Sequence, residues 1–133
     1  MQKVVIDTNV VISAHISKNG NPSKIIELLS DDKIKICYNE KILAEYAEVL
    51  SRKKFNFSIK IQNLFINKVK KQGIYITPTI SDIILPDETD RIFYDTAKTA
   101  NAYLITGNMK HYPIDEPFIL TPVQFLEMLE NNK

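Results

Sequence analysis

Asp7 closes the first apolar run of the chain, Glu45 falls inside a helical stretch, and Asp90 opens a later one. In a chain that alternates strands and helices, such positions come to the carboxyl edge of the sheet, where side chains from distant segments share one crevice. Three anionic side chains in one crevice repel one another, and a hard divalent cation bound among them relieves that repulsion. Carboxylate oxygens around Mg2+ or Mn2+ are the usual arrangement. Metal-dependent phosphoryl chemistry is the first chemistry these residues suggest.

Each acid also has a plainer structural reading. Asp7, followed by Thr8 and Asn9, could simply cap a helix, since all three residue types serve there. Thr8 and Asn9 can cap without placing a charge beside the core. That favours Asp7 as a central metal ligand, with Thr8 and Asn9 as hydrogen-bonding neighbours. At roughly 100° per residue, Ile42, Leu43, Tyr46, Val49 and Leu50 make one apolar stripe that Glu45 borders, while Glu48 and Glu40 fall on the wet side. A border glutamate is also a common snorkelling surface residue. Asp90 shares a helix face with Phe93 and Ala97 and so turns toward the sheet; acids in a first turn, with Asp87 as N-cap, equally suit the helix dipole. Asp95 falls on the far face and is expected in solvent. Between Asp82 and Asp95 there are five acids against Arg91 alone, more than capping requires.

The elements that must position these acids alternate. Lys3 to Ile6 is short and β-branched, as a buried strand is. Asn9 to Ser17 reads as a short helix, and Asn21-Pro22 as N-cap and first position of a helix running to Ser30. Ile34, Ile36 and Tyr38 alternate with Lys33, Lys35 and Cys37, giving a strand with one more polar face. Helices follow over Glu40 to Lys53 and Ser58 to Gln72, the second capped by Ser58 and ended by Gly73. Ile74 to Thr77 is a short strand, Thr79 to Pro86 a loop, and Asp87 to Asn101 a helix. Tyr103 to Thr106 and Phe118 to Leu120 are strands, and Thr121-Pro122 starts a last helix through Leu129. This order implies one α/β domain over residues 1–133, with a mostly parallel sheet covered by helices on both faces.

A chain of 133 residues, 44% hydrophobic and 25% charged, can bury a real core. Its net charge of +1 supplies no global basic field, so any nucleic acid must be held by a local patch. Cys37 is the only cysteine, which excludes an internal disulfide, fits a reducing cytoplasm, and reads as a small buried hydrophobe. The chain opens directly on strand-like Val4-Val5-Ile6, which argues against a signal peptide or a membrane span.

Taken in order, Asp7-Thr8-Asn9 after the first strand, Ile42-Leu43-Ala44-Glu45-Tyr46 with Val49-Leu50, and Asp90 followed by Phe93 and Ala97 resemble the PIN-domain nucleases. Tyr103-Leu104-Ile105-Thr106-Gly107-Asn108 with His111 and Pro113, and Thr121-Pro122-Phe125-Leu126, extend the resemblance nearly end to end. Within that family the chain most resembles the toxin components of prokaryotic toxin–antitoxin pairs. The resemblance implies an acidic pocket that binds Mg2+ or Mn2+ and endonucleolytic cleavage of single-stranded RNA. Asp7, Glu45 and Asp90 match the three most regular acidic positions. They would be both catalytic and metal-binding: Asp7 as central ligand, Asp90 binding or positioning the ion, and Glu45 acting through water. Thr8, Asn9, Thr106 and Asn108 would orient that shell. The family's fourth acidic position, after Thr106-Gly107, is often aspartate; here it is Asn108. Its neutral carbonyl can still meet a metal or a water, but the lost charge weakens binding of a second ion unless Asp87 compensates.

Substrate contacts are expected from Arg52, Lys53 and Lys54, from Lys110 and His111, and from Lys68, Lys70 and Lys71, with Phe55 and Phe57 able to stack bases. Lysines near helix ends also answer to the helix dipole, and His111 beside Tyr112-Pro113 reads equally as structural or solvent-facing. His15 is less informative still. The toxin reading implies a small antitoxin partner and often a homodimer, for which Phe65, Ile66 and Phe125 are available if they are not core. The rival reading is a non-catalytic RNA- or protein-binding module with a degenerate acidic site, favoured by Asn108. A receiver-like phosphoacceptor fits poorly, because one aspartate followed by Thr8-Asn9 ends the first strand. A haloacid-dehalogenase phosphatase would need an aspartate at Asn9.

Overall fold

The computed structural model describes residues 1–112 and 115–132; Pro113, part of the family resemblance, lies outside them. Strand β1, Gln2–Ile6, carries Val4, Val5 and Ile6, each without solvent exposure. Successive strand residues face opposite sides, so burial of all three means that both faces of the sheet are covered. β1 lies at the centre, flanked by β2 (Ile34–Tyr38) and β4 (Tyr103–Ile105). Beyond these come β3 (Ile74–Tyr75) and β5 (Ile119–Leu120), in the order β3-β2-β1-β4-β5. The four pairings are all parallel, so the sheet described is wholly rather than mostly parallel. The chain works outward from β1 to β3 on one side and then crosses to β4 on the other. That reversal of direction, between β1 and β4, leaves a crevice at their carboxyl ends.

Among the described residues, six helices cover the sheet: α1 Thr8–Ile16, α2 Asn21–Ser30, α3 Glu40–Leu50, α4 Ile59–Gln72, α5 Arg91–Ala100 and α6 Pro122–Asn131. Their starts follow their sequences. Asn39 Oδ1 accepts from the Ile42 N–H to cap α3, Ser58 Oγ accepts from Ile61 to cap α4, and Thr121 with Gln124 forms a capping box on α6. On α2 the cap is Gly20 instead of Asn21, and Asn21 and Pro22 are already helical. Proline lacks an N–H, so the first turn accommodates it without loss.

Two expected helices are shorter than their apolar patterns suggest. The segment expected to run to Lys53 leaves α-geometry after Leu50, and Lys53–Phe55 form a separate 3-10 turn. The segment expected from Asp87 begins with a 3-10 turn, Glu88–Asp90, before α5. Gly73 ends α4 with ordinary negative φ, and close approach explains the glycine. A Cβ there would lie 2.5 Å from the Val69 carbonyl oxygen and 2.7 Å from the Tyr38 ring.

Three side-chain expectations change. Asp95, assigned to solvent from helical arithmetic, is 3% exposed. The loop before α5 folds back over the helix, where Ser81 N–H donates to Asp95 Oδ2 and Arg91 donates to the Ser81 and Ile83 carbonyls. Phe65 and Phe125 are core, not interface. On β2, Cys37 is fully buried as expected, although it shares its face with half-buried Lys35, because helices cover both sides of the sheet.

Candidate metal centre

Asp7 is where β1 stops and α1 begins. Its N–H donates to the Ile105 carbonyl at 2.9 Å, adding one rung to the β1–β4 pairing, and its own carbonyl accepts from Val10 and Val11. The carboxylate is 4% exposed. Oδ1 accepts from the Thr8 N–H at 2.8 Å, and Oδ2 accepts from the Thr106 hydroxyl at 2.9 Å and the Tyr112 hydroxyl at 3.2 Å. A helix cap accounts for the first bond only. The two hydroxyls hold the other oxygen for a different reason. Burial pushes this carboxyl above its ordinary pKa even though all three bonds favour the anion.

Asp90 ends the 3-10 turn before α5 and is 7% exposed. Burial, and next the charge of Asp7, push its pKa up to about 6. Its Oδ2 is buried and receives no hydrogen bond among the described residues. His111 Nδ1 lies 3.4 Å away, within ion-pair range but not in hydrogen-bonding geometry. Asp7, Asp90 and His111 each offer one ligand atom, and these atoms all lie within 4.8 Å of one another.

Glu45 stands outside that cluster but lines the same cleft of about 500 Å³, with Thr8, Asn9, Arg52, Phe55, Asp87 and Phe93. Burial raises its pKa, and Glu48, Asp7 and Asp87 add to the rise against the opposing charge of Arg52. Its place is set by its neighbour Tyr46, a fully buried residue whose hydroxyl donates to the Ile6 carbonyl. Asp87 is exposed and takes the Thr89 N–H and hydroxyl on Oδ1, which keeps its carboxyl below the ordinary range and caps the turn that carries Asp90.

The neighbours divide the remaining work. Asn9 Oδ1 accepts from the Gly107 N–H at 3.0 Å, tying α1 to the end of β4. Thr106 Oγ1 also accepts from the Asn108 N–H, while the Thr8 hydroxyl is buried without a partner. Asn108 does not line the cleft; its Oδ1 accepts from the Lys110 N–H and caps the 3-10 turn Met109–His111. Arg52 pairs with Glu48 at 2.9 Å at the cleft wall. Lys53, Lys54 and Lys110 are exposed. Phe55 and Phe57 stack on each other 5.8 Å apart, with the Lys54 ammonium 5.1 Å from the Phe55 ring centre.

Sequence reasoning missed Tyr112 and Tyr46. Tyr46 reads from the sequence only as part of an apolar stripe and Tyr112 only as a neighbour of His111, and only the fold shows that their hydroxyls reach the end of β1. It also undervalued His111, whose position depends on the turn capped by Asn108.

A family model described as PIN domain matches residues 3–110. This chain belongs to the PIN-domain family. The matched span contains Asp7, Glu45, Asp90 and Asn108 and stops one residue short of His111. Among known proteins, the PIN-domain chain is 37% identical over 113 residues to the uncharacterized protein MJ1680 of Methanocaldococcus jannaschii, covering 80% of this chain and 70% of that one. Among solved structures it is similar to a chain in the crystal structure of VapBC2 from Rickettsia felis bound to a DNA fragment from their promoter. That match has a TM-score of 0.55 and 19% identity, over 90% of this chain and 97% of the other. At that identity the likeness concerns the fold.

Proposed function

We propose that this PIN-domain chain is a metal-dependent endoribonuclease that hydrolyses phosphodiester bonds of single-stranded RNA, as the toxin of a toxin–antitoxin pair in a prokaryotic cytoplasm. One observation carries the reading: two buried carboxylates, Asp7 and Asp90, meet where the sheet reverses direction, and a buried Asp90 oxygen receives no hydrogen bond among the described residues. A buried anion without a donor is costly, and hard oxygen donors at this spacing fit Mg2+ or Mn2+. When bound, such an ion lowers the pKa of an attacking water and offsets charge on the phosphate oxygens.

The residues of the chain divide the other tasks. Thr106, Tyr112 and the Thr8 N–H fix the Asp7 carboxylate, which removes reorganisation from the reaction. Asp90 supplies the second oxygen donor. Glu45, on the cleft wall with a raised pKa, orients the attacking water and accepts its proton. Arg52, Lys53, Lys54 and Lys110 hold phosphates, and Phe55 offers a ring for a base. The fold likeness to a VapBC2 chain supports an antitoxin partner. Exposed Ile59 and Leu64 on α4 offer apolar surface to that partner or to a second copy. No helix among the described residues is long and apolar enough to cross a membrane.

The test is purified protein with labelled single-stranded RNA and Mg2+ or Mn2+, beside EDTA and a folded Asp7→Asn variant. Cleavage that requires both the ion and Asp7 supports the reading. RNA binding without any turnover, unchanged by EDTA, shifts the chain to the binding-module alternative.

A further inference from the structure

We infer that His111 is a nitrogen ligand of the bound cation, and that this ligand makes the centre select Mn2+ over Mg2+. The inference rests on the reading above that a cation occupies the cleft. It begins with geometry. His111 Nδ1 lies 3.4 Å from Asp90 Oδ2, yet the pair is not hydrogen-bonded, and among the described residues that oxygen receives no other hydrogen bond. Bonds of about 2.1 Å to an octahedral ion set cis ligand atoms about 3 Å apart and trans ones about 4.2 Å. The observed 3.4 Å is nearer the cis value, and the three candidate ligand atoms lie within 4.8 Å, so shifts of a few tenths of an ångström bring them onto one ion. The missing hydrogen bond between the two is the observation that points to a shared ion.

The local chain explains how a histidine comes to stand there. Asn108 spends its side-chain carbonyl on the Lys110 N–H, and its main-chain carbonyl accepts from the His111 N–H at 3.2 Å. The residue at the fourth acidic position therefore builds the turn and leaves the cleft to His111. Tyr112, 2% exposed, anchors the far side of that turn through its hydroxyl on Asp7 Oδ2. The imidazole is thus held between two fixed residues, and Glu45 is too distant to complete the same cluster.

Two carboxylates and one nitrogen donor carrying no charge when it ligates would balance a divalent ion. Mn2+ shares the carboxylate and water ligands of Mg2+ but, as a first-row transition ion at the weak end of the Irving–Williams order, gains more than Mg2+ from one nitrogen donor. The consequence is a preference read by binding rather than by turnover. Mn2+ is added to the purified chain, and pulsed electron paramagnetic resonance reports whether a nitrogen nucleus couples to the ion. Calorimetry gives Mn2+ and Mg2+ affinities for the wild type, His111→Ala and His111→Asp. Because the imidazole is 43% exposed, both variants are expected to melt with the wild type.

The expected result is nitrogen coupling in the wild type and none in either variant. The Mn2+-to-Mg2+ affinity ratio should fall about tenfold or more on substitution, with His111→Asp recovering Mg2+ binding. Mn2+ binding that needs Asp7 and Asp90 but shows no nitrogen coupling overturns this inference alone and returns His111 to a phosphate contact. Equal loss of both ions in His111→Ala also overturns the selectivity. Failure of the wild type to bind either ion overturns both this inference and the nuclease reading.

Discussion

Replacing Asp90 by asparagine is expected to stabilise the metal-free protein while destroying its ion site. The folded protein raises the Asp90 pKa from the ordinary 3.8 to about 6. Roughly two units correspond to about 3 kcal/mol by which the folded state disfavours the anion. Water in the cleft screens part of this, so the gain expected at pH 8 is about 1–3 kcal/mol, or about 3–10 °C in Tm. A carboxyl with a raised folded pKa holds more protons folded than unfolded across this window. Stability therefore falls as pH rises from near 4 through about 6 and then levels off.

Asparagine does not titrate and escapes that fall. The two proteins should match near pH 4 and separate above pH 6. Thermal and urea unfolding in EDTA between pH 4.5 and 8 measures the gap. Adding Mn2+ at pH 8 should then stabilise the wild type and leave the variant nearly unchanged. A variant no more stable than wild type at pH 8, or a gap of equal size at pH 4.5 and pH 8, would refute the argument from a buried, donor-less carboxylate.

Asp7→Asn should lower RNA cleavage by at least about a thousandfold with the fold intact, checked by single-turnover cleavage beside circular dichroism. Tyr112→Phe removes one of two hydroxyls from Asp7 Oδ2; a loss of about 1–3 kcal/mol in stability and about tenfold or more in Mn2+ affinity is expected from unfolding and calorimetry. Gly73→Ala forces a Cβ to within 2.5 Å of a backbone oxygen and should cost about 1–3 kcal/mol, read from the urea midpoint. Burial holds the Cys37 thiol up at about 11, so a thiol reagent at pH 8 should react only as the protein unfolds.

The strands and helices were legible because their apolar periods differ. Val4-Val5-Ile6 has no period short enough for a one-sided strand, and β1 is buried on both faces. Helix ends were less legible, because the charged residues of the turns at Lys53–Phe55 and Glu88–Asp90 suit a helix end and a helix start equally well, without α-helical bonding. Asp95 shows the same limit. Helical arithmetic gives its direction but cannot know that the loop tied down by Arg91 folds over that face. At the site, Asp7 and Asp90 could be anticipated from one chain position each. The Tyr46 and Tyr112 contacts could not, because they span 40 and 105 residues, and His111, expected as a substrate contact, could not be placed beside Asp90 from a sequence distance of 21 residues.

The peptide group joining Ile6 to Asp7 is bound on both sides. Tyr46 on α3 donates to its carbonyl, and its N–H donates to Ile105 on β4. Glu45 adjoins Tyr46, and Thr106 adjoins Ile105, so the span between these two walls is set by two hydrogen bonds with no loop in the path. Asp90 is placed less directly: it follows the irregular residues 76–86 and a short turn, and is held through α5, whose Thr96 accepts from Asn39. Under mild denaturant the site should therefore fail from one side. Asp90 should leave while Glu45, Asp7 and Thr106 keep their spacing, so the ion is lost before the cleft is.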